Sequence, residues 1–458
     1  MLPPYSLLRK QLHFIIEEKR AQGHDVSSLE DDLAHIPDNY EKLMHFAHRL
    51  SDLPFEEGWP YVEPDDLASI WAEASPDRPI EPITDPDLDQ MAERSRIAFL
   101  SAACGCTLGK PIEMSFDFSQ IRDGLIAIGS WPLQDYFPEA IVEALDIPYP
   151  VLWEKSVKER IAFVPPDDDL NYKILNMLLL EDHGTTFNQD DIRSLWLQKL
   201  PIEWTFGPER ALLIKAGIQT LEFDVEKDLE EWATVLNPRE EWCGALIRAD
   251  TFGYACPGDP SLAAELAWRD SSWTHRRTGI YGAMFIAAAV AVAPFAVEPM
   301  EIFATALKFI PQRSRLHEVV NKCIDEVKAA SDWMDGYNRI HDRFGEYGFC
   351  RIYQEIGTLI NTLCFAKDVG EGLCMQVCQG NDTDSFGAIA GSILGMYLGP
   401  DRFDQRWIEP FHDEIRTTIA GFYERSLQRV AERMSHLPEK MIQKEQPLGQ
   451  PQGQQELS

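Results

Sequence analysis

The chain has 458 residues, 45% of them hydrophobic, and carries a formal net charge of −33. This length and apolar content support one large core or two medium domains and exclude disorder of the whole chain. A field so negative repels nucleic acid and anionic membranes, which are polyanions, but is compatible with a nucleotide in a locally positive or metal-charged pocket.

The first elements in chain order form an extension over residues 1–90. Leu7 to Arg20 has the pattern of an amphipathic helix, and Asn39 to Leu53 predicts a second. Pro60, Pro64, Pro76, Pro79, Pro82 and Pro86 then punctuate an acidic stretch, the composition of a wrapping linker. Residues 91–436 form the expected main domain. A helix begins near Arg94 and runs into a Gly-rich turn around Gly105 and Gly109. Leu170 to Leu180 predicts a helix stopped before Gly184. Further helices are expected over Pro260–Arg269, Gly279–Ala293, Leu316–Met334, Ile352–Phe365, Phe386–Leu398 and His412–Met434. Alternating strand patterns are scarce, so the fold class is all-α. Gly279 to Val297 carries no charge and nearly reaches membrane-spanning length. It is Ala- and Gly-rich, contains Pro294 and has no companion, which predicts a buried central helix. The Gln- and Pro-rich tail, residues 437–458 and above all Gln443 to Ser458, is expected to be disordered.

Nine cysteines include Cys104 and Cys106 as C-x-C and Cys374 and Cys378 as C-x-x-x-C, with no zinc-finger spacing. The opening residues lack the apolar core of a signal peptide. Reduced thiols in a cytoplasmic protein, monomeric or weakly oligomeric, are expected.

Four segments carry candidate chemistry. Asp167, Asp168 and Asp169 open an apolar helix. One Asp there is ordinary capping, whereas three in a row repel one another unless cations lie between them. Asp382-Thr383-Asp384-Ser385 sets two carboxylates and a hydroxyl on a turn that leads into a helix of small residues. Such hard oxygen donors cap a helix or hold Mg²⁺, Mn²⁺ or Ca²⁺ rather than zinc. Gly105 to Glu113 ends in a lone Glu after a Gly-Lys-Pro turn, which by spacing alone is a surface residue. It lacks the glycine spacing and the Lys-Ser/Thr pair of a phosphate loop. Finally, Arg248, His275 and Gly279 place positive charge and an imidazole beside helix-packing glycines, a combination suited to phosphate.

Read together, from Arg94 to Gly399, these segments resemble the ADP-ribosylglycohydrolase family. Arg96 to Glu113 is similar to the family's opening helix, which ends in Leu-Gly-x-Pro-x-Glu. Asp168 and Asp169 match the paired aspartates of its Thr-Asp-Asp-Thr motif, and Asp382-Thr383-Asp384-Ser385 its late Asp-x-Asp-Thr/Ser motif. The resemblance implies a compact multi-helix bundle around a binuclear centre of two Mg²⁺ or Mn²⁺ ions. It implies metal ligands from Asp167, Asp168, Asp169, Asp382, Asp384 and Ser385, and catalytic roles for Glu113, Asp168 and Asp384. Arg248, His275 and Gly279 would line the substrate cleft. The implied activity is hydrolysis of a glycosidic bond to ADP-ribose, on a protein or a small ADP-ribosyl substrate. Alternatives are hydrolysis of another ribosyl compound, or ADP-ribose binding without turnover. The chain departs from the pattern at Asp167 and Leu170, where the family has Thr; Asp167 adds a negative charge.

Overall fold

The computed structural model describes residues 3–84, 86–113, 116–147, 153–219 and 229–445. Among these the chain is all-α, with isolated β-bridges and no sheet.

Two helices, Leu88–Gly109 and Thr383–Leu398, pack along one another at the centre. Their contact is backbone to backbone. A Cβ on Gly105 would lie 2.0 Å from the Gly387 carbonyl oxygen, and one on Gly109 would lie 2.1 Å from that of Thr383. A Cβ on Gly391 would lie 2.3 Å from the Ser101 carbonyl oxygen, and one on Gly395 2.4 Å from Ala98 Cα. Gly105 and Gly109 therefore belong to the helix, and the expected Gly-rich turn is corrected: these glycines serve close approach rather than chain reversal. The chain turns only afterwards, through a short 3₁₀ segment at Lys110–Ile112. Thr383 Oγ1 donates to the Gly109 carbonyl at 2.8 Å, tying the end of one helix to the start of the other.

Thr278–Val292 is buried at every position, and the apolar stretch Thr278–Phe295 is 89% buried inside the protein. Asp168–His183 begins at the three aspartates and ends at Gly184, whose φ of 64° favours glycine. The helix expected over Leu316–Met334 is two helices, Arg315–Ala329 and Trp333–Phe344. The break has a local cause: Asp332 is extended and accepts from the amides of Met334 and Asp335, starting the second helix afresh. The helix expected over His412–Met434 shrinks to Leu427–Ser435. His412 and Asp413 are left-handed, and Asp413 accepts from Ser426 Oγ and the Gln428 amide, pinning the loop ahead of the helix. Residues 437–445 of the expected disordered tail are a helix, Leu437–Glu445, while 446–458 lie outside the described residues.

Tyr5–Ala21, Leu29–His35 and Tyr40–Ser51 form a small core of their own around Leu12, Ile16, Leu43, Phe46 and Leu50. Residues 54–84 then run over the main bundle. Their backbone bonds reach Arg313, Lys308 and Gly258, and Pro64 O accepts from Tyr281 Oη at 2.6 Å. A buried ion cluster joins the small core to the bundle. Glu240 Oε1 accepts from Lys19 Nζ at 2.8 Å and from Arg277 Nη2 at 3.0 Å. Burial works against the Glu240 charge, yet Lys19 and Arg277 outweigh it and draw its pKa down to about 2.

The glycine seam has no slack. Gly391→Ala is expected to lower stability by about 1–3 kcal/mol, as overpacking in a dense core does, measured by urea unfolding. An unchanged midpoint would show that the two helices separate easily.

Candidate metal centre

The seam brings the ends of three helices together, and each end delivers carboxylates. Glu113 follows the opening helix. Asp167 caps Asp168–His183, with Oδ1 accepting from the Asp169 amide at 3.2 Å. Asp382 stands at the N-cap position of Thr383–Leu398, and Asp384 lies in its first turn. Carboxylate oxygens of Glu113, Asp382 and Asp384 lie within 4.8 Å of one another. A second group, Cys106 with Asp167 and Asp169, meets the same limit. Glu113 is 23% exposed, so it is not the surface residue that spacing alone suggests.

Bringing these groups together costs energy. Asp169 is buried, and its Oδ1 has no hydrogen-bond partner. Burial, then the charge of neighbouring aspartates, pushes Asp168, Asp169 and Asp382 well above the usual carboxylate range. Burial and then Asp384 do the same to Glu113. Asp384 goes the other way. Burial would raise it, but the Lys110 ammonium beside it holds it below the ordinary value. Such a group of oxygen donors, one buried oxygen of it unpartnered, fits a hard divalent cation.

Sequence reasoning missed several residues here. Lys110 sits among the carboxylates, its Nζ 2.9 Å from Glu113, 2.8 Å from Asp167 and 2.7 Å from Asp384. Its signal was available, because it directly follows the seam glycine Gly109 and precedes Glu113 by three residues. Cys243 and Cys350 both donate to Asp382 Oδ2, at 3.3 and 3.1 Å. Glu355 accepts from the amides of Cys350, Ile352 and Asp382 and orients the Asp382 loop. Burial pushes Glu355 up to about 7 against those three donors. Its third position in the Tyr353–Phe365 helix is a capping-box position, the one trace it leaves in sequence.

Ser385 lies in the first turn beside Asp384, and its amide donates to Asp384 Oδ1 at 3.0 Å. Arg248, His275 and Gly279 form a different cluster. Arg248 is fully buried. Its Nε donates to Asp270 at 2.6 Å, and its Nη1 donates to Glu209 and, at 3.0 Å, to the Gly244 carbonyl. The guanidinium also lies 4.9 Å from the Trp196 ring centre. The structure thus does not present Arg248 as an open phosphate donor. His275 is equally buried; burial, then Arg248 and Arg276, hold it well below its ordinary pKa, so it is a neutral ring bonded to Thr274 Oγ1 at 2.7 Å. Gly279 leaves room for His275 and the Glu240 carbonyl, each 2.8 Å from where a Cβ would stand. These residues brace the aspartate-bearing helix: Asn176 donates to Arg248 O at 3.1 Å, and Lys173 to Ile247 O at 2.7 Å.

The fold and site define an all-α protein built around a buried carboxylate centre suited to hard cations. The chain belongs to the ADP-ribosylglycohydrolase family, whose model matches residues 87–441. Its function is accordingly of the glycohydrolase type. Among solved structures it is similar to an ADP-ribosylglycohydrolase-related protein complex, at 18% identity and a TM-score of 0.47, over 77% of this chain and 99% of that one. No curated protein matches it.

The energetic cost at Asp169 is measurable. In chelator-treated protein at neutral pH, Asp169→Asn is expected to stabilise the fold by about 1–3 kcal/mol, because a carboxyl that burial and its neighbours force away from its ordinary ionisation is removed. A raised folded-state pKa means stability is full below the unfolded value and lost as pH rises through the folded one. The advantage of the variant should therefore vanish below the unfolded value, where the carboxyl is protonated in both states. Urea melts against pH give the answer, and a destabilised variant at pH 7 would mean Asp169 Oδ1 has a partner.

Proposed function

We propose that this protein is a divalent-metal-dependent hydrolase that cleaves a glycosidic bond to ADP-ribose. The observation that carries this reading is the buried carboxylate centre, with Asp169 Oδ1 unpartnered, within a chain of the ADP-ribosylglycohydrolase family. Mg²⁺ or Mn²⁺ would be held by Asp168, Asp169 and Asp382, with Asp167, Asp384 and Ser385 beside them. When bound, the metal supplies Lewis-acid polarisation and a more acidic water.

The chain's own groups supply the proton transfers. Glu113 is the carboxyl at the accessible edge of the cluster, with a side chain 23% exposed. Burial and the neighbouring Asp384 raise its pKa, and a more basic carboxylate is better suited to accept a proton from the attacking water. Asp384 Oδ2 and Glu113 Oε2 both bond Lys110 Nζ, and this shared ammonium fixes their orientation toward one another. As the bond from the anomeric carbon to the leaving group breaks, positive charge develops on the ribose and the surrounding carboxylates stabilise it; water adds at that carbon, and the proton it gives up to Glu113 is passed to the leaving group. Arg248 and His275 act at one remove, by holding the helix that begins at Asp168. The expected setting is the cytoplasm, where nucleotide-linked substrates and reduced thiols coexist.

Two measurements test the reading. Mg²⁺ or Mn²⁺ should raise the unfolding midpoint, by about 2.7 kcal/mol of stabilisation at a hundredfold excess over Kd. Asp382→Asn should lose most of that gain; an equal rise in both proteins would place the ion elsewhere. In single-turnover release of ADP-ribose from a panel of arginine-, serine- and small-molecule-linked substrates, Glu113→Gln should lose roughly 10²- to 10⁴-fold in rate with metal affinity unchanged. Wild-type turnover in that variant would remove Glu113 from the chemistry, and release from a different ribosyl compound alone would change the substrate class.

A further inference from the structure

We propose that Lys110 is a built-in cation of the centre: its ammonium occupies one of the two cation positions, so that the protein binds a single divalent ion. This rests on the metal-dependent reading above. It replaces the binuclear centre expected from the sequence with one metal ion and one ammonium.

The argument is geometric. Lys110 Nζ lies 2.7–2.9 Å from carboxylate oxygens of Glu113, Asp167 and Asp384. These three come from three separate chain segments, so the ammonium stands where the segments converge, which is the position a bridging cation takes. The side chain is 9% exposed; its Nζ donates to Asp384 Oδ2, and Glu113 and Asp167 stand at ion-pair distance. The residue is also placed from both directions. Gly109, whose Cα is pressed against the Thr383 carbonyl, fixes where Lys110 leaves the helix, and Pro111 fixes the turn that follows.

Asp167 completes the argument. One of its oxygens caps the helix, and the other meets Lys110. The charge that Asp167 adds at this position is thus matched by the charge that Lys110 adds, and the two form an ion pair inside the centre. Lys110 makes no ion pair with Asp168, Asp169 or Asp382; Asp169 is grouped with Cys106 and Asp167, and Asp382 with Glu113 and Asp384, so the metal takes its ligands from the carboxylates around the ammonium. A fixed ammonium and a metal ion differ chemically. The ammonium donates hydrogen bonds and neutralises charge, but it has no empty orbital to polarise a ligand and does not dissociate.

The test is metal stoichiometry. Wild-type protein saturated with Mn²⁺, freed of excess ion and analysed for metal, should hold about one ion per chain and give the paramagnetic resonance signal of isolated ions. Lys110→Met keeps the length of the side chain and removes its charge. It should hold about two ions, with the coupled signal of a pair roughly 3.5–4 Å apart. The double variant Lys110→Met, Asp167→Asn keeps the charge balance and should also hold two, which covers the case in which the single variant fails to fold. Lys110→Arg should stay at one. Two coupled ions in the wild type would overturn the inference and leave the metal-dependent hydrolase standing. One ion in both wild type and Lys110→Met would do the same. No bound ion in any folded variant would overturn the metal-dependent reading itself, and this inference with it.

Discussion

Backbone contact between Leu88–Gly109 and Thr383–Leu398 is the constraint on which the rest of the structure depends. Helix axes normally stand about 8–10 Å apart because side chains separate them. Here glycines on both helices remove those side chains, and carbonyl oxygens lie where Cβ atoms would be. Small-residue seams leave few alternative registers, because a shift of one residue sets a bulky side chain such as Phe386 or Leu108 against backbone. The register in turn sets the chemistry. Gly109 stands against Thr383, so Lys110 and Glu113 emerge beside Asp382 and Asp384.

Once the register is set, the protein bears the cost of a concentrated negative charge. A helix N-terminus favours a carboxylate, and Asp167 and Asp382 both stand at N-cap positions, so helix dipoles offset part of that cost. Lys110 offsets another part. The remainder is visible as aspartates held above their usual pKa range, with one buried oxygen unpartnered. Sites of this kind sacrifice stability for function, and the surrounding bundle must compensate for it. The compensation is a core in which Thr278–Val292 is buried on every side, together with a separate set of buried ion pairs. Lys173 pairs with Asp250 at 2.6 Å, and Arg248 is held by Glu209 and Asp270.

The N-terminal segment meets the centre from outside. Arg351 pairs with Glu18 at 2.8 Å, and the Trp242 ring stacks edge-on with Phe14 at 6.1 Å. Trp242 and Arg351 are chain neighbours of Cys243 and Cys350, whose thiols bond Asp382. The small N-terminal core is thereby joined, through two loops, to one of the carboxylates in the centre. Burial pushes Glu18 up to about 7 in spite of Arg351.

What the sequence by itself determined is local. Helical periodicity, the Asp caps, the apolar run at 279–297 and the two aspartate motifs all act over a few residues, and each is readable without knowing what packs where. The all-α class and the grouping of Glu113, Asp382 and Asp384 follow from those signals together with the family resemblance. Helix boundaries were legible where the stop is chemical, as at Gly184, and where the apolar pattern is strong, as over Thr278–Val292 and Tyr353–Phe365. They were misread where a mid-run Asp restarts the helix, as at Asp332, or where a side chain pins a loop, as at Asp413. The role of the glycines at 105 and 109 was also hidden, because a glycine bought by close approach reads in sequence like one that serves a turn. Only the tertiary structure decided that Arg248 and His275 are sealed within their own ion cluster, since burial and partners such as Glu209 and Asp270 come from distant segments. It alone decided that Lys110 faces inward. A lysine after a glycine is ordinarily a solvated surface charge, and of the three carboxylates around it only Glu113 lies nearby in the chain, while Asp167 and Asp384 come from distant segments. Electrostatic environment is summed over space, whereas sequence pattern is read along the chain, and at this centre the two coincide only for the aspartates.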